Sequence, residues 1–219
     1  MKSTIHTYRY LAVLILVFLC AAAQVFAQAT DVHKWNFDFG GGVTPTLNST
    51  SQRLTTGWNF TVGGGYNFNS QIGVIGQIMY DGLGVSPSVL KEFDVPGANA
   101  HIWGFTLNPT VRFRTSDRLG FYLIGGPGYY QRTVNFTRPT SAIVTVFDPF
   151  FGFFYPVVIP AKVVIGRNTR VGWGGNIGAG ITYKMGSHGA KLFTEVRYHY
   201  IATSERATQI LPITFGIRW

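Results

Sequence analysis

From residue 34 to the carboxy terminus the chain alternates apolar with small or polar residues at a period of two, in eight separate stretches, and helical periodicity is nowhere convincing. The first stretch, residues 34–43, sets Trp35, Phe37, Phe39 and Val43 against Asn36, Asp38, Gly40 and Gly42. The second (58–68) opposes Trp58, Phe60, Val62, Tyr66 and Phe68 to asparagines, threonine and glycines. The same pattern runs through 72–81, 102–113, 119–133, 170–184 and 191–201. The last stretch turns Leu211, Ile213, Phe215, Ile217 and Trp219 one way and Pro212, Thr214, Gly216 and Arg218 the other. This predicts an all-β chain.

The chemistry of the apolar face decides which kind. In a water-soluble sandwich or barrel that face is enclosed and seldom carries aromatics at strand ends. Here Trp, Tyr and Phe cluster at the ends with aliphatics between, as on a lipid-facing band flanked by aromatic girdles. The opposite face, with Asn, Asp, Gln, Arg and many glycines, reads as a lumen. The joins test this independently. Residues 69–71, 114–118 and 185–189 are short, whereas 45–57, 82–100, 134–168 and 202–209 are long, in strict alternation. Transmembrane barrels have short periplasmic turns and long extracellular loops, so both termini are expected in the periplasm. A closed barrel also satisfies every backbone group in lipid.

The front end agrees. Lys2 and Arg9 precede an apolar run from Tyr10 to Ala23, with small-residue cleavage sites after Ala27 and Ala29. This predicts a signal peptide over residues 1–29 and a barrel over 30–219. The run is shorter than the ~20 residues of a spanning helix. Cys20 is the only cysteine, so the processed chain is expected to hold no disulfide and no thiolate metal site. Without Lys2 and Arg9, 16 basic residues stand against 9 acidic ones, about +7. These cations are scattered singly, which argues against nucleic acid and suits attraction to anionic lipopolysaccharide and membrane lipid.

The pattern resembles the small outer-membrane barrels typified by the membrane domains of outer membrane proteins A and X. The resemblance is carried by Trp58 to Phe68, Ile124 to Tyr130, Glu195 to Tyr198 and Phe215 to Trp219, and it covers the whole processed chain. It implies an eight-stranded antiparallel barrel in the outer membrane, with Phe215, Ile217 and Trp219 on a closing strand that the barrel assembly machinery reads. Function is left open, because this family includes anchors, adhesins and a few enzymes.

Eight strands leave a bore that side chains fill. Asp38 and Glu195 are expected to pair there with Arg197 and Arg218, with Lys184 and Arg112 in the same polar plug; a gated ion path through these residues is the alternative. Residues 144–165 form an apolar stretch containing Phe147, Phe150, Phe151, Phe153, Phe154 and Tyr155. Three prolines and a glycine rule out a spanning helix, so it is expected to close the mouth as a lid or to meet lipid, a surface ligand or an extracellular protein. Catalysis is not expected, nor a cofactor. Lipid A deacylases of this kind place a His and a Ser two residues apart, but Ile201 stands at that spacing from His199, with Ser204 in the loop. Barrel proteases use an Asp/His dyad at the rim; Asp81 and His101 flank the second loop, without a second Asp pair. His33, His101, His188 and His199 are too scattered to bind a metal together. An enzyme acting on lipid A or peptide at the rim, and a narrow solute channel, remain the alternatives to a structural or surface-interaction role.

Overall fold

In the computed structural model, the described residues are 34–114, 116, 118–186, 189–203 and 206–219. The predicted signal peptide, Cys20, His33, His188 and Ser204 lie outside them. Among the described residues nine strands and one short α-helix are formed: β1 (Trp35–Thr44), β2 (Leu54–Asn67), β3 (Ile72–Val85), α1 (Pro87–Glu92), β4 (Gly97–Arg114), β5 (Leu119–Asp148), β6 (Phe153–Lys184), β7 (Lys191–Ile201), β8 (Thr208–Ile210) and β9 (Ile213–Arg218). All pairings are antiparallel. The order β6-β5-β4-β3-β2-β1-β9-β7 is closed by β6 pairing with β7. β8 and β9 both pair with β7 and are two halves of one stave, interrupted at Leu211 and Pro212. The barrel therefore has the eight staves expected.

Each stave's outward residues form the apolar band. Trp58, Tyr80, Trp103, Tyr129 and Trp173 ring the end nearer the loops; Trp35, Tyr66, Phe113 and Tyr183 ring the end nearer the turns. Trp35 is 67% and Trp173 70% exposed, which would be costly in water and is favourable in hydrocarbon. Neighbouring rings meet edge-on, as Trp35 does Tyr66 at 5.4 Å and Tyr129 does Trp173 at 5.3 Å. The two rings stand eight positions apart on β2 (Trp58 to Tyr66) and ten apart on β4 (Trp103 to Phe113) and β6 (Trp173 to Tyr183), close to the length of about 9–11 residues that a tilted strand needs to cross a bilayer.

The prolines inside staves have a local remedy. Pro109 and Pro127 both fall in the stretch of β4 and β5 where the ladder skips from Thr106↔Gly128 to Thr110↔Ile124. The Gly126 carbonyl there accepts instead from Asn176 Nδ2 at 3.0 Å.

Three staves run further than the alternation suggested. β2 begins at Leu54 rather than Trp58, β3 continues to Val85, and β4 begins at Gly97. Beyond the upper aromatic ring the surroundings change from lipid to water, and the polarity rule inverts. The inward residues at and beyond that level, Leu54, Met79, Leu83, Ala100, Ile102 and Ile210, form a buried apolar cluster. Strand prediction keyed to an apolar outside stops where the outside stops being apolar.

The largest correction concerns residues 134–168, expected as a loop. They continue β5 and β6 as one antiparallel ribbon, paired from Arg138↔Val163 to Asp148↔Phe153 beyond the last contact with β4 at Thr137. This free part reaches roughly 35 Å.

Candidate functional site

Two features are candidates for function: the filled bore and the ribbon. In the bore, the closing strand supplies Arg218, whose Nη2 donates to Asp38 Oδ2 on β1 at 3.1 Å. Gln77 on β3 donates to Asp38 Oδ1 at 3.1 Å and accepts at Oε1 from Arg197 Nη1 at 2.7 Å and Asn108 Nδ2 at 3.1 Å. Asn108 Oδ1 accepts from Asn176 at 2.9 Å. Arg197 pairs with Glu195, whose other oxygen accepts from the Tyr122 hydroxyl at 2.8 Å. The Arg218 guanidinium lies over the rings of Tyr122 and Phe193, at 4.8 and 5.0 Å. One continuous network thus ties β1, β3, β4, β5, β6, β7 and β9 across the bore. Its two carboxylates and two guanidiniums balance, as charges removed from water must. Glycine makes the room: a Cβ at Gly63 would strike the Asp38 carboxylate and come 2.6 Å from Gln77 Cγ.

Asp38, Glu195, Arg197 and Arg218 therefore meet inside the barrel. Arg112 lies half-buried near the turn end, its Nη2 3.5 Å from Thr110 Oγ1. Lys184 is misplaced by the alternation: it is the exposed last residue of β6, its amide bonded to the Arg118 carbonyl at 2.8 Å. Phase along a strand says which face a residue takes, not whether the bore still surrounds it there. Gln77, Asn108, Asn176 and Tyr122 join the network without standing out in the sequence as its members. The signal was available in their inward phase and length, but their common level needed the register.

Higher in the bore Asp81 is wholly buried; Oδ1 accepts from Thr44 Oγ1 at 2.5 Å and Oδ2 has no hydrogen-bond partner. Asn at this position keeps an acceptor for Thr44 and removes a buried carboxyl group. Asp81→Asn is accordingly expected to leave the unfolding free energy of the barrel, read by urea titration, unchanged or to raise it by up to about 1–2 kcal/mol. A marked fall in the midpoint would mean that the carboxylate is paired.

The ribbon has the opposite character. Among residues 139–161 the one charge is Asp148. Its Oδ1 accepts from the amides of Phe150 at 2.8 Å and Phe151 at 3.2 Å, and its carbonyl accepts from Gly152 at 2.9 Å. Pro149 presets the turn and Gly152, at φ +69°, completes it in the left-handed region. The turn holds Phe150 (87% exposed) and Phe151 outward at the tip, with their rings 5.1 Å apart and edge-on. Phe153, Phe154 and Tyr155 follow on one arm, and Phe147 packs on Phe154 across the ribbon at 4.9 Å. These rings are exposed, and the two arms that carry them pair with each other from Arg138↔Val163 to Asp148↔Phe153.

A family model described as an outer membrane protein beta-barrel domain matches residues 12–218. The chain belongs to this outer membrane protein beta-barrel family. Among solved structures it is similar to Neisserial surface protein A, at 13% identity over 84% of this chain and 95% of that one, with a TM-score of 0.52. A major outer membrane protein from Thermus thermophilus is similar at 8% identity, over 85% and 99% of the two chains, also at 0.52. The attachment invasion locus protein Ail of Yersinia pestis aligns at 15% identity over 85% and 100%, at 0.44. No curated protein sequence matches this one. Such identities speak for the fold alone.

In this outer-membrane barrel the residues weighed for catalysis stay apart. Asp81 points into the bore, whereas His101, one position from Ile102 (the register partner of Asp81), lies on the outer face, with Nδ1 2.6 Å from the Tyr80 hydroxyl. The rim dyad expected of a barrel protease is therefore split by the wall. His199 points inward and is buried, with Nδ1 2.9 Å from the Tyr130 hydroxyl.

Proposed function

We propose that this outer-membrane barrel is a non-enzymatic surface-interaction protein: the wall anchors it, the polar network closes the bore, and the β5–β6 ribbon is the element that binds. In this reading residues 1–29 direct export and are removed, the short turns and both termini face the periplasm, and the ribbon stands outside the cell. Assembly proceeds through recognition of the closing strand by the barrel assembly machinery, and the excess positive charge favours anionic lipopolysaccharide around the wall. The observation that carries the proposal is the ribbon tip, where a buried-type cluster of phenylalanines is held in solvent by a turn built to present it.

Replacing Ser141 to Pro160, which are cross-strand partners, by an Asn-Gly turn tests this. The shortened chain is expected to keep the heat-dependent gel shift of a folded barrel while cells displaying it lose attachment to surfaces that the full protein binds. Intact attachment with the ribbon gone would refute the proposal. Stepwise conductance in planar bilayers would refute the closed bore.

A further inference from the structure

From the ribbon's chemistry we infer that its partner is an anionic lipid bilayer apposed to the cell, which the phenylalanine tip enters while basic residues at the base hold the headgroups. This rests on the ribbon being the binding element and names what it binds. Three observations lead to lipid rather than to a partner protein.

The first is the distribution of charge. Phe147, Phe150, Phe151, Phe153, Phe154 and Tyr155 crowd the distal end, and no charge follows until the exposed Arg138 and Lys162 on neighbouring register positions near the base. Rings at the leading end and cations behind them are what an interfacial segment needs, since apolar side chains sink past the headgroups and cations stay with the phosphates. Asp148, the one acidic group at the tip, is already engaged by turn amides.

The second is the state of the edges. Above Gly174 no described strand pairs with the outer edge of β6, which leaves an open template for a partner's strand. That edge carries Pro156 and Pro160, and β5 carries Pro139. Their cross-strand partners are Thr145, Ser141 and Lys162, so all three prolines fall on one phase of the pairing. An intact ladder with prolines on one phase requires that phase's amides to point outward, so donors are missing where an added strand would need them. An added strand on the β6 edge would meet a missing donor at every fourth residue, so that edge favours contact through the ribbon's faces and tip.

The third is depth. Two strands with open edges cannot cross hydrocarbon, because the outward amides and carbonyls would lose water without gaining partners. The ribbon must lie slanted in the interface, and its charge-free length of roughly 30 Å lets the tip sink while Arg138 and Lys162 remain at phosphate level.

The test uses the full barrel in phosphatidylcholine nanodiscs, mixed with fluorescent vesicles of phosphatidylcholine and phosphatidylglycerol and read by co-sedimentation. The wild type is expected to bind these vesicles and to bind pure phosphatidylcholine vesicles more weakly, with the preference reduced by salt. Phe150→Asp combined with Phe151→Asp should weaken binding by about tenfold or more, and Lys162→Glu with Arg138→Glu should remove the anionic preference. Each pair of variants must retain the heat-dependent gel shift. Absence of vesicle binding by the wild type, or binding indifferent to the tip substitutions, overturns the inference. If attachment to cells still requires Ser141–Pro160 in that case, the partner is not lipid although the ribbon remains the binding element. If attachment does not require the ribbon, that broader proposal fails as well.

Discussion

Glu195→Ala is expected to lower the unfolding free energy of the barrel by about 3–5 kcal/mol. The carboxylate pairs with Arg197 and accepts from Tyr122, and both partners are buried. Its removal leaves the Arg197 guanidinium relying on Gln77 Oε1, in a bore where water cannot replace what was lost. The strand itself should survive, because Ala fits the same ladder position opposite Gly180 and Thr214. Urea titration of the reconstituted protein, followed by the gel shift and by tryptophan emission, measures the change. Replacing Arg197 by Met in the same chain should recover much of the loss, since deleting both charges leaves none stranded. An unchanged midpoint in the single variant would show that the pair is solvated and the bore open.

Removing Ile213 to Trp219 is expected to abolish the folded barrel altogether. β9 forms both seams, from Asp38↔Arg218 to Val43↔Ile213 on one side and from Lys191↔Arg218 to Val196↔Ile213 on the other. Trp219 extends the first seam, its amide donating to the Phe37 carbonyl at 2.9 Å and its carbonyl accepting from Phe37 at 3.3 Å. Without this stave two strand edges face hydrocarbon, each exposed group costing several kcal/mol, and Asp38 loses Arg218 at the same time. The heat-dependent gel shift and the outer-membrane fraction should both be empty of the truncated chain. Trp219→Ala alone keeps the backbone bonds and should cost only the interfacial anchoring of one ring, about 1–3 kcal/mol. A truncated chain that still inserts would show that β7 and β1 can close directly.

The wall was legible in the amino-acid sequence because lipid imposes a two-residue rhythm on every stave, and the rhythm marks inside from outside at each position. For β7 the alternation gives the observed limits, Lys191–Ile201. What escaped was whatever depends on height. Lys184 keeps the inward phase of Thr182 yet lies past the end of the bore. Leu83 and Ala100 belong to staves that continue into water, where the same phase carries the reverse chemistry. The ribbon escaped for another reason. This stretch reads as a loop, and Pro139, Pro156 and Pro160 would indeed break a strand bonded on both sides. A ribbon bonded on one side tolerates proline wherever the amide points away.

At the root of the ribbon the pairing shifts between Phe136↔Gly166 and Thr137↔Val164, leaving Ile165 as a bulge. Below it the even-numbered residues of β6 share a face with the even-numbered residues of β5; above it the odd-numbered ones do. Tyr155, Val157 and Ile159 consequently join Val144 and Val146 on the side continuous with the bore, and Phe154, Pro156 and Val158 take the other. Were Ile165 taken up in regular pairing instead of a bulge, the two sets on this arm would exchange sides while every stave in the bilayer stayed untouched. A one-residue slip at this root therefore re-aims the outer surface of such a protein without disturbing the cylinder that carries it.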